Sequence, residues 1–412
     1  MHTISPSFIR EILSAAATDG VLSLAGGLPR EDLFPTTAFA DAVATAVARE
    51  GHRILQYAET PGDLRLREWI ARRMTSTHGM PTSAEQVMIT TGSQQALDLV
   101  AKLFSDRPVA VENPGYLGAA MAFAANRVET VPVDRIGDAL DRIDTAALVR
   151  AIDGGAAVFY GMSRFQNPTG ASWSAEGRRQ LVELLETRGV WFVEDDPYGE
   201  LRFDADAEAD ADADAADADA ADADAATSAR IDRGLHTPVA ADAPDRTIYC
   251  GSFSKSVAPS LRLGFVRAPV EIVRELGRLK QAADLHSSGI LQAALVTMLT
   301  SGPFDLDQHL RRVRAAYRVQ RDALHRAVAT HLPDATVGVE PAGGMFLWID
   351  LPESTSALFE RAIARGVAFV PGVHFRADGG DTGMRLNFSC LDPAQIETAV
   401  ARIAAAREDA AP

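Results

Sequence analysis

The chain has 412 residues, 47% hydrophobic and 23% charged, which is enough apolar content for a large buried core and more than one domain. Its formal charge of −16 is concentrated in residues 204–226, whose nine Asp and one Glu remove ten negative charges and leave about −6 for the rest, with no basic face of the kind that binds nucleic acid. No apolar run reaches the length of a membrane span, and Cys250 and Cys390, in no paired-ligand spacing, speak against a disulfide framework or a structural zinc.

The first residues lack the basic-then-apolar pattern of a secretion signal, so the cytoplasm is the expected address. Residues 87–91 read as a strand, and 94–104 then place Ala96, Leu97, Leu99, Val100, Leu103 and Phe104 on one helical face. Residues 109–112 and 158–160 are further short strands. Ser174 has the chemistry of an N-cap for a helix carrying Leu181, Val182, Leu184 and Leu185, stopped near Gly189. Strands at 190–193 and 247–251 follow. Strands separated by helices predict an α/β fold with a mostly parallel sheet covered on both faces.

Residues 204–226 interrupt this order. Alanine favours helix, but Asp at every second or third position sets like charges on neighbouring turns, and no side chain there can build a core. A disordered surface loop is expected, and the spacing does not match a calcium-binding Asp-x-Asp-x-Asp-Gly loop. In the last third, a helix over 310–328 precedes a strand at 345–349, entered through Gly343-Gly344. Asp392-Pro393 opens a final helix with Ile396, Val400 and Ile403 at helical spacing. A smaller α+β domain joined by the N-terminal segment is the simplest account.

Thr91-Gly92-Ser93-Gln94-Gln95 follows a strand and opens a helix, so free backbone N–H groups and the helix dipole can face an anion. Gly251-Ser252-Phe253-Ser254-Lys255 offers two hydroxyls and a lysine, and Arg262 adds a fixed cation seven residues later. No Gly-x-x-x-x-Gly-Lys-Ser/Thr loop and no Gly-x-Gly-x-x-Gly follows a strand, which argues against a nucleotide triphosphatase and a Rossmann dehydrogenase. No His-x-x-x-His pair has a nearby Glu, so no metal is expected. Glu194-Asp195-Asp196-Pro197-Tyr198 ends a buried strand with three acids in a row, which is costly without a partner cation or metal; a protonated ring nitrogen would satisfy one of them. The turn Gln166-Asn167-Pro168-Thr169-Gly170 carries an amide able to donate to a ligand oxygen.

Together and in this order, these elements resemble the fold-type I pyridoxal-phosphate enzymes, and among them the class I/II aminotransferases, nearest the subgroup of 2-aminoadipate and kynurenine aminotransferases. The resemblance runs from Phe8-Ile-Arg-Glu-Ile-Leu and Ser23-Leu-Ala-Gly-Gly-Leu-Pro to Met384-Arg-Leu-Asn-Phe-Ser. It implies a large cofactor-binding domain at 46–290 with a mostly parallel seven-stranded sheet, a small domain at 291–412, and an N-terminal segment, 1–45, associated with the latter. It implies that Lys255 holds pyridoxal phosphate as a Schiff base and moves the substrate proton, that Asp195 pairs with the ring nitrogen, and that Tyr198 and Asn167 bond the phenolic oxygen. Tyr116 would stack on the ring, and Ser93, Gln94, Ser252, Ser254 and Arg262 would form the phosphate cup. Arg385 would take the substrate α-carboxylate, with Asn167, Gly27 and Arg10 also at the substrate. Tyr57 resembles a tyrosine lent across a homodimer interface to the partner's phosphate, its alternative being a core aromatic.

The implied reaction moves an amino group from an L-amino acid to a 2-oxo acid, 2-oxoglutarate or pyruvate, by a ping-pong mechanism. On the same cofactor, β-elimination, decarboxylation or racemisation would also use Lys255 and Asp195; Arg385 favours transamination. A third reading is the sensing domain of a winged-helix regulator, but a resemblance that begins by Phe8 is expected to leave no room for a preceding DNA-binding domain. Arg164 stands where relatives carry a small residue. It is expected as an exposed arginine at a turn, the sharper alternative being a residue at the active-site mouth that influences which side chain is accepted.

Overall fold

The computed structural model describes residues 20–203 and 237–409, so Arg10 and the Asp/Ala segment lie outside the described residues. The described chain opens with a two-residue strand, β1 (Leu22–Ser23), and helices α1 (Thr36–Glu50) and α2 (Leu64–Thr77). An alternating series follows: β2 (Val87–Thr90), α3 (Ser93–Leu103), β3 (Val109–Asn113), α4 (Leu117–Ala125), β4 (Thr130–Ile136), β5 (Arg142–Ile143), α5 (Thr145–Asp153), β6 (Val158–Gly161), α6 (Ala175–Arg188), β7 (Trp191–Asp196), β8 (Thr247–Ser252) and β9 (Gly264–Arg267).

Strands β2 to β9 form one sheet in the order β2-β9-β8-β7-β6-β3-β4-β5. Neighbours from β8 to β4 are parallel, whereas β9 runs against both β2 and β8, and β5 against β4. The sheet is mostly parallel as the alternation predicts, but it has eight strands and not seven. The additional strand, β5, pairs through two residues only, too few to show a period in sequence. Val87, Met88 and Ile89 of β2 are all fully buried, the continuous apolar run expected where helices cover both faces. The Ser174 hydroxyl accepts from the Gly177 N–H (3.2 Å) at the start of α6, and Gly189 closes that helix in the left-handed conformation.

The chain continues through α7 (Val270–Ala283), α8 (Gly289–Ser301) and the long α9 (Leu306–His331). Then come β10 (Thr336–Val337), β11 (Phe346–Asp350), α10 (Thr355–Ala364), β12 (Val367–Ala368), β13 (Val370–Pro371), β14 (Gly383–Asn387) and α11 (Pro393–Glu408). A second, four-stranded antiparallel sheet has the order β10-β11-β14-β13. β1 pairs in parallel with β12, and the Asn387 N–H donates to the Leu24 carbonyl (2.7 Å), so residues 22–24 lie against this C-terminal unit. Asp392 and Gln395 close a capping box at the start of α11. No helix among the described residues is long and apolar enough to cross a membrane.

The carboxyl ends of β2, β3, β6, β7 and β8 share one edge of the large sheet, the place where open α/β folds bind ligands. Residues 25–28, following β1, and Arg385 on β14 approach the same edge from the smaller unit.

Candidate active site

A cavity of about 470 Å³ opens at that edge. It brings together Ser93 and Gln94 after β2, Tyr116 after β3, Asn167 after β6, Asp195 and Tyr198 at the end of β7, and Ser252, Ser254 and Lys255 at the end of β8. Arg262, Gly27 and Arg385 complete it. Of the residues singled out in sequence, Tyr57 is not in the lining and Arg10 is outside the described residues.

The three consecutive acids of β7 part company because side chains alternate along a strand. Glu194 accepts from the Ser163 hydroxyl and from the N–H groups of Val239 and Ala240 (both 2.8 Å). Asp196 is ion-paired with Arg164 and accepts from the Tyr249 hydroxyl (2.7 Å) and the Gly199 N–H (2.8 Å). Asp195, between them, lines the cavity. Its Oδ2 accepts from the Tyr160 hydroxyl (3.0 Å), while its buried Oδ1 has no hydrogen-bond partner. Burial pushes this carboxyl up to about 7; the Tyr160 hydrogen bond pulls it down and the Asp196 charge adds to the rise.

Across the cavity, Lys255 Nζ donates to the Gly27 carbonyl (2.5 Å). Burial brings its pKa down to about 8; Cys390 opposes that, and the Arg385 and Arg262 cations reinforce it. A lysine tuned this way holds a far larger neutral fraction near neutral pH than an ordinary lysine does.

Arg385 is also buried, and its guanidinium carbon lies 4.4 Å from the Phe346 ring centroid and 5.1 Å from that of Phe375. Nη1 donates to Asn167 Oδ1 (2.8 Å) and Nη2 to the Ala25 carbonyl (2.5 Å), but Nε has no partner. A buried cation facing a cavity with an unused donor suits a carboxylate. Gly27 keeps this wall close, since a Cβ there would meet the Phe346 ring at 3.0 Å. The loop that presents Asn167 is held from behind: Gln166 Nε2 donates to Glu112 (3.0 Å) and to the Pro114 carbonyl (2.9 Å), and Glu112 is itself paired with Arg135 (3.0 Å).

At the other end, α3 begins at Gly92, which has φ +78° and provides no side-chain cap, so the first N–H groups of the helix are left for an anion. Glycine is required there twice over: a Cβ would also lie 2.7 Å from Arg262 Nη2. Arg262 itself has φ +47°, an uncommon conformation for a side-chain-bearing residue. Ser252 Oγ accepts from the Ser254 N–H (3.1 Å), and Gln94 Nε2 is tied to the Gly118 carbonyl (2.8 Å). The cavity thus offers an anion cradle, a bare carboxylate oxygen, and a lysine and an arginine. Pyridoxal phosphate asks for these groups, with its phosphate, its protonatable ring nitrogen and its aldehyde.

Sequence reasoning missed Tyr160, which orients Asp195; a tyrosine in an otherwise apolar buried strand was the available signal. It also missed the apolar lining from Leu28, Leu117, Met162 and Val370, which comes from four separate segments. Arg164 differs from both of its readings. It is 3% exposed, paired with Asp196, and absent from the cavity lining. Arg164→Met should therefore leave the ranking of amino-acid donors unchanged. Because it strands a buried carboxylate, it should lower urea-unfolding stability by about 3–5 kcal/mol. Tyr57 is not a core aromatic: it is 79% exposed, with its ring edge-on to His286 at 5.9 Å between centroids.

A family profile described as aminotransferase class I and II matches residues 20–403. The chain is 37% identical over 411 residues to the 2-aminoadipate transaminase of Thermus thermophilus, covering 97% of this chain and 93% of that one. Among solved structures it is similar to the α-aminoadipate aminotransferase of Thermus thermophilus complexed with N-(5′-phosphopyridoxyl)-L-leucine, with 35% identity, a TM-score of 0.81, and coverage of 98% and 95%. The kynurenine aminotransferase of Pyrococcus horikoshii is similar at 30% identity, a TM-score of 0.84, and coverage of 99% and 96%.

Proposed function

The chain belongs to the class I and II aminotransferase family, and on that premise we propose how its residues divide the work of moving an amino group between an amino acid and a 2-oxo acid. It is a pyridoxal-phosphate-dependent aminotransferase of fold type I. Bound pyridoxal phosphate supplies an electron sink for the pair left when the substrate Cα–H bond breaks. The observation that carries the assignment of roles is the unpartnered Asp195 Oδ1, in one cavity with Lys255 and Arg385.

Asp195 Oδ1, left without a partner while Tyr160 holds the other oxygen, would accept a hydrogen bond from the protonated ring nitrogen and keep it protonated. Lys255 would hold the cofactor covalently, and its Nζ, once freed by the incoming amino acid, would be the base that takes and returns the substrate proton. Ser93, Gln94, Ser252, Ser254, Arg262 and the N-terminus of α3 would hold the phosphate, Tyr198 and Asn167 would bond the phenolic oxygen, and Tyr116 would lie against the ring. Arg385 takes the α-carboxylate through its free Nε edge, which orients the Cα–H bond for removal. Gly27 keeps the substrate wall close. Arg385→Lys should lower kcat/KM for every donor about 10²-fold, mainly through KM, because an ammonium cannot make the planar two-point contact.

The acceptor proposed is 2-oxoglutarate or pyruvate, in a ping-pong cycle. The test mixes purified holoenzyme with single amino acids, 2-aminoadipate, kynurenine, leucine and aromatic residues among them, and follows the cofactor's visible absorbance. Bleaching by a donor and recovery on adding a 2-oxo acid supports transamination; ammonia release without an acceptor would replace it by elimination. We also infer a cytoplasmic homodimer in which Tyr57, exposed and outside its own cavity, reaches the partner's phosphate. Sedimentation of the active enzyme as a monomer would remove that role.

A further inference from the structure

Lys280 has no part in the chemistry above. The chain has three lysines, Lys102, Lys255 and Lys280, among its 40 basic residues. Lys102 is a partly exposed helix-surface partner of Asp98 and Lys255 lines the cavity, whereas the Lys280 side chain, near the end of α7, is wholly buried. Its ammonium donates to Gln95 Oε1 (2.6 Å), to both Asp284 carboxylate oxygens (2.9 and 3.0 Å) and to Ser287 Oγ (3.1 Å), so its three protons are shared among three acceptor residues. The same Gln95 oxygen accepts the Thr91 N–H (2.8 Å), and Gln95 Nε2 donates to Asp284 Oδ2 (2.7 Å). The Thr91 hydroxyl reaches Asp284 Oδ2 (3.1 Å) and Ser287 Oγ (2.9 Å). Leu285, between these partners, is held at φ +66°, a conformation that persists only where the surroundings over-determine it.

Thr91 immediately precedes Gly92 and Ser93, where α3 opens with Ser93 and Gln94 lining the cavity. We propose that Lys280 is a positioning residue for the cofactor's phosphate: it locks Thr91 and Gln95 onto the α7–α8 turn, so that the anion-binding end of α3 is set before the phosphate arrives. A tetrahedral ammonium reaches three acceptors around a point, which a planar guanidinium fork does not. This rests on the reading of Ser93 and Gln94 as part of the phosphate cup.

The test uses the full-length apoprotein and two probes, pyridoxal phosphate and pyridoxal, which share ring and aldehyde but differ by the phosphate. Lys280→Met should weaken pyridoxal phosphate binding about ten-fold while pyridoxal binding does not move. Thr91→Val, at a half-buried position where the fold is not at risk, should act in the same selective way by about three-fold. Thermal midpoints confirm that each variant is folded. Equal weakening of both probes, or an unchanged preference in folded Lys280→Met, would overturn the proposal. If Lys280→Met does not fold, an unchanged preference in Thr91→Val overturns it. A wild-type apoprotein that does not prefer the phosphorylated probe would overturn the phosphate-cup reading and this proposal with it.

Discussion

Lys255→Ala is expected to lower kcat about 10⁴-fold, the upper end of what a positioned proton-transfer group contributes, and to abolish the visible absorbance of covalently held cofactor. Far-UV circular dichroism should not change, because the lysine makes one hydrogen bond, to the Gly27 carbonyl, and alanine removes an amine whose charge the site disfavours. Neither of the other two lysines substitutes for it. Lys102 is on the surface of α3 pairing with Asp98, and the three Lys280 protons are already committed. A retained visible band in Lys255→Ala would sink the assignment. The pH dependence carries a second expectation. Burial brings Lys255 down to about 8, so the reactive neutral amine predominates above that pH and is depleted about ten-fold per pH unit below it. Cofactor capture by wild-type apoprotein should therefore rise with pH and level off above about 8, as followed by stopped-flow absorbance.

Asp195→Asn is expected to lower kcat by about 10²–10³-fold, the worth of a preorganised electrostatic contact in a water-excluded site. The isosteric amide keeps the contact with Tyr160 but cannot hold the ring nitrogen protonated. The same substitution should stabilise the apoprotein. Asp195 is 1% exposed and its folded pKa is raised to about 7 from 3.8. Between those two values the native state binds more protons than the unfolded state, so stability is fully present below the unfolded pKa and lost as pH rises through about 7. Of the other ionisable groups around this site, Tyr160 on β6, Cys250 on β8 and Tyr116 before α4 have pKa values raised by burial and stay neutral there, while the Asp196 charge adds to the rise of Asp195. Urea unfolding of wild-type and Asp195→Asn apoprotein at pH 8 should therefore favour the variant by a few kcal/mol, on the order of the linkage for a shift of this size. A less stable variant would mean that Asp195 is already compensated without cofactor. The carboxylate thus costs the empty protein stability that cofactor binding offsets.

The core strands β2, β3, β6, β7 and β8 were legible as short apolar runs between helical patterns, whereas β4 was not; the caps at Ser174 and Asp392 were legible as local signals. β5, antiparallel to β4, and β9, antiparallel to both its neighbours, were not; the two residues of β5 carry too little periodicity. Most of the cavity's polar residues were legible as well. A glycine before a helix, two serines before a lysine, and acids at a strand end are each weak, but their order along the chain is specific.

What the sequence by itself determined was which residue types the site holds and in what order the strands deliver them. The family resemblance already singled out Asp195 among three adjacent acids, but only the tertiary structure gave the physical reason why it is the one that lines the cavity with an unpaired oxygen. The pleat turns Glu194 and Asp196 towards Ser163, Arg164 and Tyr249, and leaves one oxygen of Asp195 bare in the cavity. The packing likewise turned Arg164 from an expected surface residue into a buried counter-ion, and gave the buried ammonium of Lys280 three acceptors that converge from different segments. Desolvation and long-range pairing depend on neighbours distant in sequence, so no local pattern announces them.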